Sequence, residues 1–585
     1  MHRDRLSYFL IPLAAFVAIL PLLIYGCSCG HDFDFHILSW MEAARQFTHG
    51  NLHPHWAYTP AWNAGEPRFV FYPPLSWTIG AVLGLIFPWA WTPILYTWLA
   101  LTAAGISLNY LARDFTSPQA ALIAAILYTV NPYTLFTAYE RTAYAELLAA
   151  AWIPLLLHAI LRNKITIPRI AIPIALLWLT NAPAAVMSCY ALALLTAIRV
   201  IANKQLTRKS PNIPPQSRIQ LALNTIAGTA LGLSVAAFYI LPAAYERRFV
   251  QIAMAIIPFL RIQDNFLFHH TNDPAHDQVL HTASLIAITL ITLTVSALLV
   301  ARRSTKPGAP YLDSEMWASS EARPSSFHGP ETSSITGSPR CECQNYLLLS
   351  LMTLTIAITL LLTPLTTFIW DHAPELAFLQ FPWRLLAILA AVFALTLALV
   401  LKPIKLNPLS TTFAIVIAAA LTYPAYRVFH QSCDPADTVE ARLHLFHSNQ
   451  GTDPTDEYTP LTSDNDSLAH TNPPYWLAEN PNGQTPAGSQ PWPAPTHFSF
   501  KATQPGYLIL NLRDYPAWSL SRNDSQIPTH IGRADGLIAL PIPAGPSTID
   551  ITYTHSFDQT MGDIISAIAL ITLLLTLRQK TPAPS

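Results

Sequence analysis

Charged residues are scarce in this sequence. Asp, Glu, Lys and Arg make up 11% of its 585 residues, against about 25% in a typical soluble protein. Hydrophobic residues make up 52%, and the mean hydropathy is +0.32. So few charges cannot cover the water-exposed surface of a chain this long, so the composition indicates a polytopic α-helical membrane protein. The net charge of −1 gives no global field that would recruit nucleic acid.

Glycine and cysteine are also few, with 20 and 6 residues, whereas proline is frequent with 50. This balance excludes collagen-like chains and a disulfide framework. Cys433 is the only cysteine between 428 and 560, so we expect no disulfide within that segment. The Cys341-x-Cys343 pair is too sparse for a zinc site.

Twelve apolar runs are predicted to cross the membrane. The first follows a short charged stretch, and we interpret it as an uncleaved span rather than a signal peptide because it is long and lacks a small-residue cleavage site. The runs are 6–25, 93–111, 118–135, 143–161, 170–182, 185–199, 219–241, 281–301, 346–366, 384–402, 409–427 and 561–577.

Basic residues cluster between particular pairs of these runs, and basic loops stay cytoplasmic. Placing every cluster inside puts both termini in the cytoplasm, provided that the apolar segment 71–90 does not span. Its proline-rich ends favour an interfacial or re-entrant segment instead. The runs 170–182 and 185–199 must then form a hairpin that turns at 181–183.

This topology defines three regions. Residues 1–427 form the membrane domain, with a first outer loop at 26–92 and a cytoplasmic linker at 302–345 that we expect to be disordered. Residues 428–560 are predicted to form a small extracytoplasmic β-sandwich, in which a turn at Pro505-Gly506 joins two strands as a hairpin. Residues 561–585 hold the last span and a cytoplasmic tail.

The densest group of ionisable residues follows the first span, at 31–36. In a helix Asp32 and His36 share a face and Asp34 points away, whereas in an extended chain Asp32 and Asp34 share a face. An apolar stripe from Phe33 to Phe47 favours an amphipathic interfacial helix. The structural alternative is that Asp32 only caps this helix.

Other outer segments contribute arginines and carboxylates, namely Arg141, Glu146, Arg247, Arg248 and Arg384. Carboxylates that face arginines suit sugar transfer from a lipid phosphate, because the reaction needs a base for the acceptor and cations for the leaving phosphate. A divalent cation on an Asp-x-Asp pair could serve instead of the arginines. Aromatic side chains that could stack on sugars, or form an interfacial belt, are Trp40, Trp56, Tyr58, Trp62, Phe71 and Tyr72.

The chain carries a series of motifs, namely Gly30-His31-Asp32 through His36, Gly50 to Trp56, Trp62 to Pro67, Phe71 to Leu75, Tyr139 to Glu146, Asn181 to Ala185 and Gln380 to Arg384. Together they resemble GT-C-type membrane glycosyltransferases, in particular a bacterial group labelled "6-pyruvoyl-tetrahydropterin synthase-related" membrane proteins. The 515–545 region is similar to the β-domain of YfhO-like relatives. One departure is His55, which stands where the group has arginine.

The resemblance implies roles for individual residues. Asp32 is expected to be the catalytic base, with His36 beside it and Asp34 as a second carboxylate or a ligand of Mg²⁺ or Mn²⁺. The donor phosphate is expected to bind Arg141, Arg384, Arg247 and Arg248, with support from Glu146, Glu66 and His31. The expected partners are a polyprenyl-phosphate sugar, membrane lipid and a glycan, lipid or protein acceptor, with no nucleic acid.

Three functions therefore compete. The favoured one is a glycosyltransferase of the bacterial inner membrane that acts on its outer face. A lipid or polysaccharide transporter would instead place ionisable groups at mid-membrane and use repeats or broken helices. A non-catalytic envelope scaffold would need nothing special at Asp32.

Overall fold

The computed structural model describes residues 2–206, 216–303, 339–404, 408–527 and 531–578. The first half of the chain is helical. Its helices are α1 (His2–Tyr25), α2 (Phe33–Thr48), α3 (Arg68–Phe71), α4 (Pro74–Ile86), α5 (Thr92–Arg113), α6 (Pro118–Thr129), α7 (Pro132–Tyr139), α8 (Tyr144–Ala149), α9 (Ile153–Leu161), α10 (Ile167–Thr180), α11 (Ala182–Leu206), α12 (Arg218–Val235), α13 (Ala237–Glu246) and α14 (Pro274–Arg303).

The second half of the chain adds seven more helices and all seven strands. The helices are α15 (Pro339–Leu361), α16 (Thr367–His372), α17 (Pro374–Ala377), α18 (Leu386–Leu401), α19 (Pro408–Phe429), α20 (Val439–His447) and α21 (Phe557–Arg578). The strands are β1 (Tyr475–Ala478), β2 (His497–Ala502), β3 (Gly506–Arg513), β4 (Trp518–Arg522), β5 (Ser525–Gln526), β6 (Leu537–Ile542) and β7 (Gly545–Tyr553).

The protein is a multi-pass membrane protein. Within the described residues, nine helical segments are long and apolar enough to cross a membrane, and two bent helix pairs raise the number to eleven. The bends are 76° between α12 and α13 and 94° between α15 and α16. The remaining predicted span, 170–182, is the 14-residue helix α10, which is short for a bilayer about 30 Å thick. Twelve full spans are therefore not confirmed.

Short helices occur in segment 71–90 and directly before the predicted turn at 181–183. Segment 71–90 contains α4, whose Gly80 lies so close to the Trp40 ring that an added Cβ would come within 2.2 Å of it. The predicted turn between α10 and α11 lies at Asn181, whose side-chain oxygen accepts a hydrogen bond from the Ala184 amide and so caps α11. The predicted break at 181–183 is confirmed, but α11 has 25 residues and is not the short helix expected at 185–199.

Basic residues from two of the predicted cytoplasmic clusters, Arg162 and Arg199, lie at one end of the bundle. Asp114 at the end of α5 pairs with His158 and Arg162 at 2.8 and 2.9 Å. Arg199 is buried and donates to the carbonyls that end α9, at Ile160, Leu161 and Asn163. The loops with the candidate site residues lie at the other ends of the same helices. The structure thus separates the two sets of loops as the topology requires.

The β-rich domain consists of two antiparallel sheets. One has the strand order β1-β3-β6 and the other has the order β2-β7-β4-β5. Leucines of β3 and β6 share a buried cluster with Leu520, Ile549 and Ile551 of the second sheet. The predicted hairpin at Pro505-Gly506 is wrong, because β2 pairs with β7 while β3 pairs with β1 and β6. The turn there instead carries the chain from one sheet to the other.

The first outer loop is built into this β-rich domain. Trp56 belongs to the same buried cluster as the sheet leucines, and the amide of Arg513 donates to the Ala64 carbonyl. The last span joins the same junction, where Gln559 and Tyr515 both donate to the buried carboxylate of Glu246. The β-rich domain therefore sits at the end of the bundle that carries the first outer loop.

A disulfide that sequence reasoning missed joins Cys29 to Cys433, with 4.9 Å between their Cα atoms. The expectation of no disulfide within 428–560 was sound but incomplete, because the partner lies 404 positions away. The predicted linker 302–345 falls mostly at 304–338, outside the described residues. The prediction of disorder is wrong for the last part of this segment, because helix α15 begins at Pro339.

Candidate functional site

Asp32 stands at the start of α2, immediately after a tight turn. A Cβ at Gly30 would lie 2.1 Å from the Glu140 carbonyl oxygen, so only glycine allows this approach. The Asp32 amide donates to the Arg141 carbonyl at 3.0 Å. The Asp32 side chain makes no capping hydrogen bond to α2. The carboxylate is thus free of the capping role and faces the 139–146 turn.

Helix α2 is buried in the protein, which corrects the prediction of an amphipathic interfacial helix. Residues 36–44 are all buried, and a run of nine covers every face of a helix with about 3.6 residues per turn. His36 is therefore not on a solvated side. Its ring lies in a cage of Phe35, Trp40, Tyr72 and Tyr144, with ring centroids 5.3–5.9 Å away.

The Asp32 carboxylate lies between a surface histidine and a buried arginine. His31 Nδ1 is 2.8 Å from Asp32 Oδ1, and the His31 side chain is 85% exposed. Arg141 Nη2 is 3.7 Å from Asp32 Oδ2, and the Arg141 side chain is 7% exposed. Asp32 itself is 30% exposed. It is the point at which this buried charge cluster meets the surface.

Glu146 contacts two arginines of the cluster, Arg141 and Arg384. Its Oε2 lies 2.5 Å from Arg141 Nη1 and 3.4 Å from Arg384 Nε. Its Oε1 accepts a short hydrogen bond from the Tyr133 hydroxyl. The Glu146 side chain is only 3% exposed. The order Asp32, Arg141, Glu146, Arg384 is thus an alternating chain of charges drawn from three loops.

Aromatic rings form one wall of the cluster. Phe381 and Trp383 stack with centroids 4.8 Å apart, and the Arg141 guanidinium lies 4.9 Å from the Trp383 ring. The Arg384 guanidinium lies 5.0 Å from the Phe381 ring. Cation–π contacts of this kind stabilise guanidinium groups that are shielded from water.

Two buried donors in this wall have no hydrogen-bond acceptor within the described residues. They are Trp383 Nε1 and Arg384 Nε, and the second still has Glu146 Oε2 as an ion-pair partner at 3.4 Å. Unsatisfied buried donors cost free energy, and here they accompany two guanidinium groups. The arrangement is chemically suited to an anion.

The surroundings set the charge states of Asp32 and its neighbours. Burial opposes ionisation of Asp32, but the hydrogen bond with His31 and the Arg141 guanidinium outweigh it and hold the Asp32 pKa below its usual range. The same contact raises the pKa of His31. Burial lowers the pKa of His36 to about 4, although Asp32 opposes this shift. At neutral pH Asp32 is ionised and His36 is neutral.

Asp34 is turned away from this cluster. Both of its carboxylate oxygens accept hydrogen bonds from Arg442, with Oδ1 at 2.9 Å from Arg442 Nε. Arg442 Nη2 also binds Asp437 at 2.6 Å. Within the described residues no group of three His, Cys, Asp or Glu side chains is placed to hold a metal ion. The residues around Asp34 do not fit the expected Mg²⁺ or Mn²⁺.

Three other predicted site residues also lie elsewhere. Glu66 is fully buried and pairs with Arg68 at 2.7 Å, which anchors the first outer loop. Arg247 and Arg248 are exposed, and Arg248 stacks on Tyr245 at 3.7 Å. Their spacing after a span suggested a phosphate site, but no contact in the described chain joins them to Asp32.

The predicted sugar-stacking aromatics separate by burial. Trp40 and Trp56 are almost fully buried and cannot face a sugar. Trp62 is stacked on His470 at 3.7 Å, and Phe71 on Tyr458 at 5.5 Å. Tyr72 is the one that borders the site, with its hydroxyl 3.5 Å from His36 Nε2.

Sequence reasoning missed Tyr133, Trp383 and Arg442. Tyr133 and Trp383 carry no charge, so no pattern of ionisable residues identified them. Arg442 lies 408 positions from Asp34, and only the fold brings them together. The Trp383 position could have been found from the Phe-Pro-Trp-Arg run in which it stands.

The fold and the site together define a multi-pass membrane protein with a buried charge cluster at one end of its bundle. No protein-family model and no curated protein sequence matches the chain. Solved structures that are similar include arabinofuranosyltransferase AftD from Mycobacteria and a mutant of AftD. They are 14% and 13% identical over 93% and 94% of this chain, each with a TM-score of 0.41. The chain spans 40% and 42% of their lengths, and so distant a likeness does not establish a shared activity.

Proposed function

We propose that the protein is a GT-C-type glycosyltransferase of the bacterial inner membrane. It moves a sugar from a polyprenyl-phosphate donor to a glycan, lipid or protein acceptor on the outer face. One observation carries the proposal. A partly exposed, ionised carboxylate, Asp32, lies 3.7 Å from Arg141, which Glu146 links to Arg384, and Trp383 Nε1 in the same wall has no hydrogen-bond acceptor within the described residues.

The chemistry follows from this juxtaposition. The acceptor hydroxyl gives its proton to Asp32 while its oxygen forms a bond to the anomeric carbon of the donor sugar. The bond between that carbon and the phosphate oxygen breaks, and its electron pair leaves with the polyprenyl phosphate. Arg141 and Arg384 bind the negative charge that grows on the phosphate.

The site favours transfer over the alternatives. A transporter needs ionisable groups near the middle of the membrane and often uses broken helices. The bent pairs α12–α13 and α15–α16 meet the second expectation, but the charge cluster lies at the ends of the helices and opens at Asp32. A scaffold needs no buried cations, and unpaired buried donors would only cost it stability. No step of the proposed reaction passes through a metal, because Asp34 is held by Arg442.

The test is a transfer assay with the purified protein in nanodiscs. A panel of polyprenyl-phosphate sugars is incubated with an envelope extract as acceptor, and release of polyprenyl phosphate is measured. We expect release with at least one sugar and none with Asp32→Asn. If no sugar in the panel is released, or if Asp32→Asn matches the wild type, the proposal is wrong. Movement of the intact donor across a vesicle membrane would favour the transporter.

A further inference from the structure

Arg141 contacts two carboxylates at once, and it holds them unequally. Its Nη1 is 2.5 Å from Glu146, whereas its Nη2 is 3.7 Å from Asp32. The nearer carboxylate is buried and the farther one is partly exposed. A guanidinium has separate N–H groups for two acceptors, so Arg141 can exchange its looser partner without leaving the tighter one.

A phosphate that enters the cluster competes for the looser contact. Arg384 has Nη1 bound to the Leu379 carbonyl, and its Nε lies 3.4 Å from Glu146 Oε2. Arg141 is held in place by Glu146 and by the Trp383 ring. The N–H group of Arg141 that faces Asp32 is therefore the one a phosphate oxygen displaces most easily.

We propose that Arg141 exchanges its contact with Asp32 for a contact with the donor phosphate, so that one cation serves both groups in turn. Glu146 is the positioning residue that keeps Arg141 within reach of both. The inference rests on the proposed function and concerns how its site is regulated. Without donor, Arg141 and His31 together make Asp32 a poor base. With donor, the phosphate neutralises Arg141, and Asp32 becomes able to accept a proton from the acceptor.

Other groups around Asp32 do not replace this role. The titratable and charged side chains that face it are His31, His36, Arg141, Arg384 and Tyr72. His31 is exposed, and its hydrogen bond to Asp32 at 2.8 Å also lowers the Asp32 pKa, but it lies outside the buried cluster that a phosphate would enter. His36 and Tyr72 are neutral at pH 7. Arg141 is the close, buried cation through which a phosphate can change the basicity of Asp32.

Carbodiimide labelling tests the inference without needing sugar transfer, because the reagent reacts with protonated carboxyl groups. Nanodisc-embedded protein is labelled at pH 6 with and without polyprenyl phosphate, a lipid phosphate that bears no sugar. Mass spectrometry then quantifies modification of the Asp32 peptide. The exposed Asp453 serves as an internal reference whose labelling should not change.

We expect polyprenyl phosphate to raise Asp32 labelling about tenfold, which corresponds to about one pKa unit. In Glu146→Gln the basal labelling should fall about tenfold, because Arg141 then turns fully to Asp32. Misfolding would do the opposite, since an unfolded carboxyl labels faster. Arg248→Gln, outside the cluster, should behave as the wild type.

Unchanged or reduced Asp32 labelling on addition of polyprenyl phosphate would overturn the inference, as would Glu146→Gln labelling equal to or above that of the wild type. The two proposals fail separately. Sugar transfer without a labelling response overturns the shared-cation inference alone. A labelling response in a protein that transfers no sugar overturns the proposed glycosyltransferase activity alone.

Discussion

At the scale of single residues, Asp32 and Asp34 show how neighbours decide what a carboxylate can do. They are two positions apart and chemically identical. Asp32 has one loose arginine contact at 3.7 Å. Both carboxylate oxygens of Asp34, in contrast, accept hydrogen bonds from Arg442. The first is available to a reacting group, and the second is occupied.

This difference predicts the outcome of two matched variants. Asp32→Asn removes the base and should lower the transfer rate about 10²- to 10⁴-fold. Asp34→Asn should leave the rate within a few-fold and instead lower the thermal unfolding midpoint, because Arg442 loses one of its two carboxylate partners. Transfer rates and unfolding midpoints measured on both variants check this. Rescue of Asp34→Asn activity by added Mg²⁺ or Mn²⁺ would restore the metal hypothesis.

A second prediction concerns the geometry of the phosphate contact. Arg384→Lys keeps the charge but loses the planar fork of donors. Hydrogen bonds to charged groups contribute about 1.5–3 kcal/mol, so the donor KM should rise about 10- to 100-fold. The measurement is donor titration at saturating acceptor. Arg248→Lys is the control and should leave the KM unchanged, and equal effects in both variants would contradict the site.

The buried imidazole of His36 makes stability depend on pH. Its pKa in the folded protein is about 4, below the value of about 6.5 in an unfolded chain. The unfolded state therefore binds a proton first as the pH falls. His36 contributes full stability above pH 6.5 and loses it between pH 6.5 and about 4, at about 1.4 kcal/mol per pH unit.

We therefore expect His36→Phe to flatten the fall in unfolding midpoint between pH 6.5 and 4.5. The exposed His269 provides the control, since His269→Asn should leave the slope as in the wild type. Midpoints measured by fluorescence in detergent at several pH values decide the matter. A wild-type slope in His36→Phe would show that His36 is not the group that titrates.

At the scale of elements, the segment after α19 works as a strap across the start of α2. The Cys29–Cys433 disulfide fixes one point, and the Arg442–Asp34 pair on α20 fixes a second. Arg45 on α2 also lies 4.7 Å from the Phe446 ring. The strap thus holds the helix that carries Asp32 in place.

The disulfide can be verified by cutting the chain between its two cysteines. A protease site inserted near residue 320 would divide the protein into two fragments, one with Cys29 and one with Cys433. The fragments should stay joined on a non-reducing gel and separate on a reducing gel. Cys433→Ser is the control, and it should separate under both conditions. It should also be less stable, by about 2–4 kcal/mol.

Sequence patterns predicted the secondary-structure elements well where the signals were local. The apolar runs and the break at Asn181 both follow from short-range periodicity and turn residues. The pairing of β2 with β7 did not, because Pro505-Gly506 marks a turn whichever sheet receives the next strand. Local patterns also did not predict the contacts of Arg442 and Cys433, because their partners lie about 400 positions away.

At the scale of the whole molecule, the two ends of the helix bundle carry different chemistry. One end holds the disulfide, the β-rich domain and the Asp32 cluster. The other holds the basic groups around Arg162 and Arg199. Disulfides persist in oxidising compartments outside the cytoplasm, and basic loops stay inside. Two independent signals therefore predict the same orientation, with the site on the outer face.

This orientation can be tested with single cysteines placed at the two ends. Leu52 in the first outer loop is 74% exposed, and Ile404 after α18 is 52% exposed. Arg384 lies at the opposite end of α18 from Ile404, and 20 residues of helix span about 30 Å. The four cysteines outside the disulfide are first replaced by serine. In intact cells an impermeant maleimide should label Leu52→Cys and spare Ile404→Cys. Permeabilisation should then expose Ile404→Cys, and the reverse pattern would place the Asp32 cluster in the cytoplasm and remove an outer acceptor from the proposal.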